Sequence, residues 1–201
     1  MSNPNISVII PFYNSEISLE HCLNAVYKSN YKNFEVIAVS DNSKDKSDEI
    51  AKKFPCKIVK LKKNYGSGYS RNIGSKLAKG NILVFLDSDV IIKKDSLTII
   101  QNYFKKKKNH QMIQGIYSHY PDYKKTATQY LQSYQCYYVF SSKKKFIENL
   151  VSNFFSIKKK IFSKVGGFDG KFIGSNAEDA DLGYRLMQKG YKIPIFRNLK
   201  V

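Results

Sequence analysis

The chain predicts an α/β fold, with a mostly parallel central sheet flanked by helices. Short apolar runs alternate with amphipathic stretches from residue 6 to residue 108, an order that implies strands of one sheet covered by helices. The 201 residues favour one domain, long enough to bury a good core. A third observation places the working edge. Asn14, Asp41 and Asp87 each follow a predicted strand, and open sheets of this kind bind ligands beyond the carboxyl ends of their strands.

Residues 6–12 form a short apolar run, a buried strand. Residues 15–28 carry Ile17, Cys22, Leu23 and Val26 at helical spacing, with Asn14 or Ser15 as N-cap. Residues 34–39 are the next strand. Residues 45–54 are a helix with acids in its first turn and lysines in its last, as the helix dipole favours. Residues 58–61 are a strand, 67–79 a helix with Gly80 as its stop signal, 81–86 a strand and 95–108 a helix. The second half is less regular. Strands are predicted at 112–118 and 153–157. Residues 126–140, rich in Tyr and Gln, read either as a helix or as a flexible stretch. Gly166-Gly167-Phe168-Asp169 is a turn, 178–189 a helix ending at Gly190, and 191–196 a strand whose Pro194 points to a sheet edge.

Composition narrows the function classes. No window is long and apolar enough to span a bilayer, and the first apolar run stops at Pro11, unlike a secretory signal. Cys22, Cys56 and Cys136 show no Cys-x-x-Cys spacing and read as reduced thiols of a cytosolic protein. The formal net charge is +18, from 34 basic and 16 acidic residues, with only Arg71, Arg185 and Arg197 as arginines. Lysine runs such as 105–108, 143–145 and 158–160 read either as solvated faces or as attraction for an anionic partner: a phosphorylated substrate, a membrane surface or nucleic acid.

Against that background two acidic clusters stand out, Asp87-Ser88-Asp89 after an apolar run and Glu178-Asp179-Ala180-Asp181 before a helix. Adjacent carboxylates repel, and they persist where a metal ion, a proton or a cationic partner is built in. At the ligand edge, one carboxylate of the first cluster suits a ribose or base and the other Mn2+ or Mg2+, cations that prefer oxygen ligands and substrate phosphates. The second cluster suits a general base toward a sugar hydroxyl, although acids at a helix start also serve the helix dipole alone. Gly66-x-Gly68 has the start of a dinucleotide fingerprint, but Arg71 stands where that fingerprint needs Gly or Ala. Its glycine turn still offers backbone N–H groups at a helix start.

The segments V-I-I-P-F-Y-N (8–14), V-S-D-N-S-K-D (39–45), N-Y-G-S-G-Y-S-R-N through F-L-D-S-D (64–89), G-G-F-D (166–169) and A-E-D-A-D-L-G-Y-R-L-M-Q-K-G-Y-K-I (177–193) together resemble the GT-A glycosyltransferases of family 2, across residues 8–193. The resemblance implies a GT-A fold, nucleotide-diphospho-sugar transferase-like, as a single domain over 1–201. About 1–110 would form the nucleotide-binding half and about 111–201 the acceptor-binding half. It implies that Pro11, Phe12, Tyr13 and Asn14 line the nucleotide pocket and that Asp41 hydrogen-bonds the base, commonly uracil. Arg71, with Asn72 nearby, would help hold that base. Asp87 would contact ribose or sugar, and Asp89 would bind the metal. Asp179 would be the catalytic base, with Glu178 shaping the acceptor site, and Asp181 and Arg185 would be structural. The implied activity is inverting transfer of one sugar from a nucleotide-diphosphate sugar, UDP-linked, to a glycan or lipid-linked acceptor at an anionic membrane surface. The implied location is cytoplasmic and peripheral at the membrane face. Nucleic acid is not the expected partner.

Departures from the family pattern set the competing expectations. Ser40 takes the place of the first of two acids after the second strand. A metal-ligating His that many members carry after the last strand has no counterpart before Val201, so either metal binding is incomplete or the chain is a truncated catalytic core. The Gln-x-x-Arg-Trp signature of processive synthases is absent, which favours single-sugar transfer. The alternatives are a basic nucleic-acid-binding module, or a transferase-like domain that binds nucleotide without turnover.

Overall fold

The computed structural model describes residues 4–106, 109–116, 145–147, 150–172 and 177–200. The predicted helix or flexible stretch at 126–140 lies outside them. The strands are β1 (Ile6–Phe12), β2 (Phe34–Ser40), β3 (Lys57–Lys60), β4 (Ile82–Leu86), β5 (Met112–Ile116), β6 (Phe146–Ile147), β7 (Phe154–Lys158) and β8 (Ile193–Lys200). The helices are α1 (Leu19–Tyr27), α2 (Ser47–Lys52), α3 (Ser67–Leu77), α4 (Ser96–Lys106), α5 (Lys159–Lys164) and α6 (Glu178–Gln188). The sheet order is β3-β2-β1-β4-β7-β5-β8-β6. Strands β3, β2, β1 and β4 run parallel, β7 is antiparallel to both β4 and β5, and β8 returns parallel to β5.

Alternation along each strand divides the core into two layers. Ile6, Val8, Ile10 and Phe12 of β1, with Val36 and Ala38 of β2 and Val84 and Leu86 of β4, pack under α1, α2 and α4. Ile9, Ile37, Val39, Leu83 and Phe85 point the other way, under α3, α5 and α6. Every residue of β1 and β4 is buried. Continuous apolar runs are what a strand covered on both faces requires, and these two read cleanly from sequence for that reason.

Four sequence expectations are corrected. Helix α1 starts at Leu19 rather than residue 15, and its N-cap is Ser18 without a side-chain cap bond. The Ser15 carbonyl instead accepts the N–H groups of Ser18 and Leu19 in a preceding turn. Gly80 is not a left-handed helix stop: Ala78 ends α3 in an extended conformation, and Gly80 has no positive φ. It is glycine because a Cβ there would sit 2.7 Å from the Ser7 nitrogen and 2.8 Å from the Ile6 carbonyl carbon. Those are backbone atoms that cannot give way, so Gly80→Ala is expected to cost roughly 1–3 kcal/mol, read as a lower urea midpoint. An unchanged midpoint would remove the steric reason. Pro194 does not mark the outermost strand, since β6 pairs outside it on Phe146↔Pro194 and Ile147↔Ile193. Finally, β6 and the six-residue α5 were not predicted. Both are too short for periodicity to show.

Candidate active site

The carboxyl ends of β1, β2 and β4 and the N-termini of α3 and α6 surround one cleft of about 1210 Å³. Pro11, Phe12, Tyr13, Asn14, Asp41, Arg71, Asp87, Asp89, Glu178 and Asp179 all line it. Asn72 does not belong to the lining. Its amide donates to the Phe168 carbonyl at 2.7 Å and accepts the Phe168 N–H at 3.0 Å, so it clamps the Gly-Gly-Phe-Asp turn.

Each side chain is placed by identifiable local chemistry. Asn14 adopts φ +48°, a left-handed conformation that Asn tolerates, and its side-chain oxygen accepts the Lys44 N–H at 2.9 Å. This ties the loop after β1 to the loop after β2. Asp41 is buried, and its two oxygens accept the N–H groups of Tyr65 and Gly66 at 2.8 Å each. Gly66 has φ +90°, which turns the chain into α3. Ser15 and Ser88 share a hydroxyl–hydroxyl bond of 2.9 Å, which joins the loop after β1 to the Asp87-Ser88-Asp89 turn.

Arg71 is 3% exposed and stands at the centre of the acids. Its Nη2 donates to Asp87 Oδ1 at 2.6 Å and its Nη1 to Glu178 Oε1 at 3.4 Å, and Nη1 lies 3.8 Å from Asp179 Oδ1. Glu178 is buried and also accepts the Ser67 hydroxyl at 2.6 Å. Asp179 Oδ2 accepts the Ser152 N–H at 2.9 Å, while its Oδ1 is shielded and has no hydrogen-bond partner among the described residues. Burial raises the Asp179 carboxyl above the usual carboxylate range, against the pull of Arg71 and Ser152. Asp89 lies exposed at the rim, and desolvation by the cleft wall together with the charge of Asp87 raises its carboxyl too.

Asp181 and Arg185 lie along α6. Arg185 holds Asp181 Oδ2 at 2.6 Å and donates to the Val165 and Gly167 carbonyls at 2.7 Å each, which fastens α6 to the end of α5. Ser67 and Ser152 were not foreseen as site residues. Ser67 sits inside the glycine-rich turn singled out from sequence, whereas Ser152 contributes through its backbone N–H, which leaves no sequence signal.

The lining chemistry can be tested for a divalent cation. Seven acids line the cleft (Glu16, Asp41, Asp45, Asp87, Asp89, Glu178 and Asp179) against two bases, Lys44 and Arg71. A diphosphate entering that field is repelled unless positive charge comes with it. Asp89, an exposed carboxylate of raised proton affinity at the rim, is the type of ligand Mn2+ or Mg2+ takes alongside phosphate oxygens. The donor set fits the ion. Among the described residues no cluster of three or more His, Cys, Asp or Glu could hold it by protein ligands alone.

A switch-point cleft of this kind, at the carboxyl edge of a half-parallel sheet, defines a GT-A-type nucleotide-diphospho-sugar transferase fold. Residues 7–172 match Glycosyl transferase family 2, and the chain belongs to that family. It superposes on Staphylococcus aureus TarS 1–349 with a TM-score of 0.75 and 21% identity, covering 97% of this chain and 58% of that one. The mannosyltransferase PcManGT from Pyrobaculum calidifontis, solved with GDP-Man and Mn2+, aligns with a TM-score of 0.79 and 19% identity over 99% of this chain and 56% of that one. Among curated proteins, the minor teichoic acid biosynthesis protein GgaB of Bacillus subtilis (strain 168) is 36% identical over 121 residues, 57% of this chain and 13% of GgaB. The chain therefore spans well under two thirds of these relatives. No helix among the described residues is long and apolar enough to cross a membrane.

Proposed function

We propose that this domain transfers one sugar from a UDP-sugar to an acceptor hydroxyl with inversion at the anomeric carbon. The observation that carries the reading is convergence: Asp87 and Asp89 from the end of β4 and Asp179 from the start of α6 line one cleft. Solved complexes of TarS with UDP and with UDP-GlcNAc favour a uridine donor. Asp41, at the floor near Tyr65 and Gly66, takes the nucleobase, and Asp87 takes the ribose. Asp89 would hold Mn2+ or Mg2+, which when bound would supply Lewis-acid stabilisation of the departing diphosphate. The Asp179 carboxylate accepts the acceptor's hydroxyl proton. The freed oxygen attacks C1 from the face opposite the leaving group, forming the new C1–O bond. The old C1–O bond breaks with its electron pair going to the nucleoside diphosphate. A lipid-linked or cell-surface glycan acceptor, presented at an anionic membrane surface on the cytoplasmic side, fits the lysine excess.

A thermal-shift screen of UDP, GDP and their sugars with and without Mn2+ tests the donor class. UDP with Mn2+ is expected to raise Tm, and each alone to do little. Stabilisation by duplex DNA with none by UDP and Mn2+ would replace this reading with the nucleic-acid module. Nucleotide binding without release of nucleoside diphosphate in the presence of acceptors would indicate a domain that has lost turnover.

The pH profile offers a second check. A base works only when ionised, so transfer falls as pH drops through the folded-state pKa of Asp179. Because burial raises that pKa, the acid limb of kcat/KM is expected above the ordinary Asp value of about 3.9. A limb at or below that value would contradict the assignment.

A further inference from the structure

We propose that Arg71 is a positioning residue for the base: its guanidinium, shared by Asp87 and Asp179, ties the donor side of the cleft to the acceptor side. The proposal rests on the assignment of Asp179 as base and departs from the role in holding the nucleobase that the family resemblance implies for Arg71. Three carboxylates meet this one guanidinium, and among the described residues no other cation forms an ion pair with them. Lys44, the second cation of the lining, bonds the Asn42 side-chain oxygen at 3.1 Å.

The guanidinium is held at its two terminal nitrogens and against the Phe168 ring, while its Nε has no hydrogen-bond partner among the described residues. Its carbon lies 5.5 Å from the Phe168 ring centroid, and Asn72 pins the Phe168 backbone from the next position on α3. Gly68 lets α3 approach closely: a Cβ there would stand 3.1 Å from Glu178 Cγ and 3.3 Å from Phe168 Cβ. The packing that brings α3 against α6 therefore leads Arg71 to Glu178 and Asp179. Its bond to Asp87 is the shortest of the three contacts, and Asp87 is the member nearest in sequence to the metal-type ligand Asp89. Donor contact with Asp87 and the place of the base thus depend on the same fork.

The charges around Asp179 are few. Arg71 faces it from α3, Glu178 precedes it on α6, and the Ser152 N–H approaches from the segment before β7. Asp87 acts on it only through Arg71, and the Asp181–Arg185 pair is closed on itself further along α6. Arg71 and Ser152 lower the Asp179 proton affinity and Glu178 raises it. Removing Arg71 leaves Asp179, among the described residues, with the Ser152 N–H and its like-charged neighbour Glu178 and no paired cation.

The test is the pH profile of kcat/KM with donor binding measured separately. Arg71→Gln is expected to move the acid limb upward by about one pH unit or more, with part of the lost rate returning at high pH. Arg71→Lys, which keeps the charge but loses the planar two-sided grip, is expected to leave the limb near its original place and lower kcat about tenfold. Donor Kd should change by less than the rate in both. An unchanged limb in Arg71→Gln, with donor Kd raised instead, returns Arg71 to the nucleobase and overturns the proposal. Should Arg71→Gln not fold, Arg71→Lys still decides: full kcat with weakened donor binding overturns it. Failure of the base assignment is distinguishable, because then Asp179→Asn itself keeps its rate and shows the same acid limb as the unmodified protein.

Discussion

Asp179→Asn is expected to bind donor as before and to transfer almost nothing. Asn has the same shape, and its side-chain oxygen can still accept the Ser152 N–H that now meets Asp179 Oδ2 at 2.9 Å. The substitution removes a charge that burial already disfavours, so the fold is not threatened. Arg71 keeps its bonds to Asp87 and Glu178. What disappears is the only group at this position that can take the acceptor proton, and general-base catalysis is worth ~10²–10⁴ in rate. Release of nucleoside diphosphate in the presence of acceptor should fall by that factor, while donor Kd stays within about threefold. Normal transfer by Asp179→Asn would sink the base assignment and the mechanism with it.

Asp89→Ala is expected to abolish the metal dependence of donor binding. The residue is exposed at the rim, so truncation leaves the core intact. The cleft keeps six acids after the change and loses the carboxylate best placed to bring in a compensating cation. With Lewis-acid stabilisation gone, a diphosphate meets the remaining negative field directly. Donor affinity in Mn2+ should fall roughly 100-fold, a loss of about 2.7 kcal/mol of charge stabilisation. The thermal shift given by UDP with Mn2+ should shrink to that of UDP without metal. A shift that survives intact in Asp89→Ala would move the metal to another ligand and reopen the reading of Asp87-Ser88-Asp89.

The parallel half of the sheet was legible because its physics is local. Strands buried on both faces need continuous apolar runs, and 6–12, 34–39 and 81–86 match β1, β2 and β4 to within a residue at each end. The ligand edge followed, since Asn14, Asp41 and Asp87 had to fall just past those strands. Helix starts were less legible. In α1 the Ser15 carbonyl forms a turn that periodicity cannot separate from the helix proper. Pro194 misled because its missing N–H was assigned to an outer edge, whereas a two-residue strand borders it there. Asn72 misled in a different way: it adjoins Arg71 in sequence, but one helical step turns its amide toward Phe168 and off the cleft wall.

Local composition and order determined that two tight acidic clusters stand in a strongly basic chain, that strands deliver the first of these to a ligand edge, and that the motif order is that of family 2. Which charges touch was decided by tertiary packing alone. Arg71 and Glu178 lie 107 positions apart, and only the burial of α3 and α6 against the sheet brings the guanidinium among three carboxylates. Hydrophobic periodicity specifies which face of a helix is inward. It carries no term for which distant polar group that face will meet, and at this site that meeting sets where the Asp179 carboxylate stands and how tightly it holds a proton.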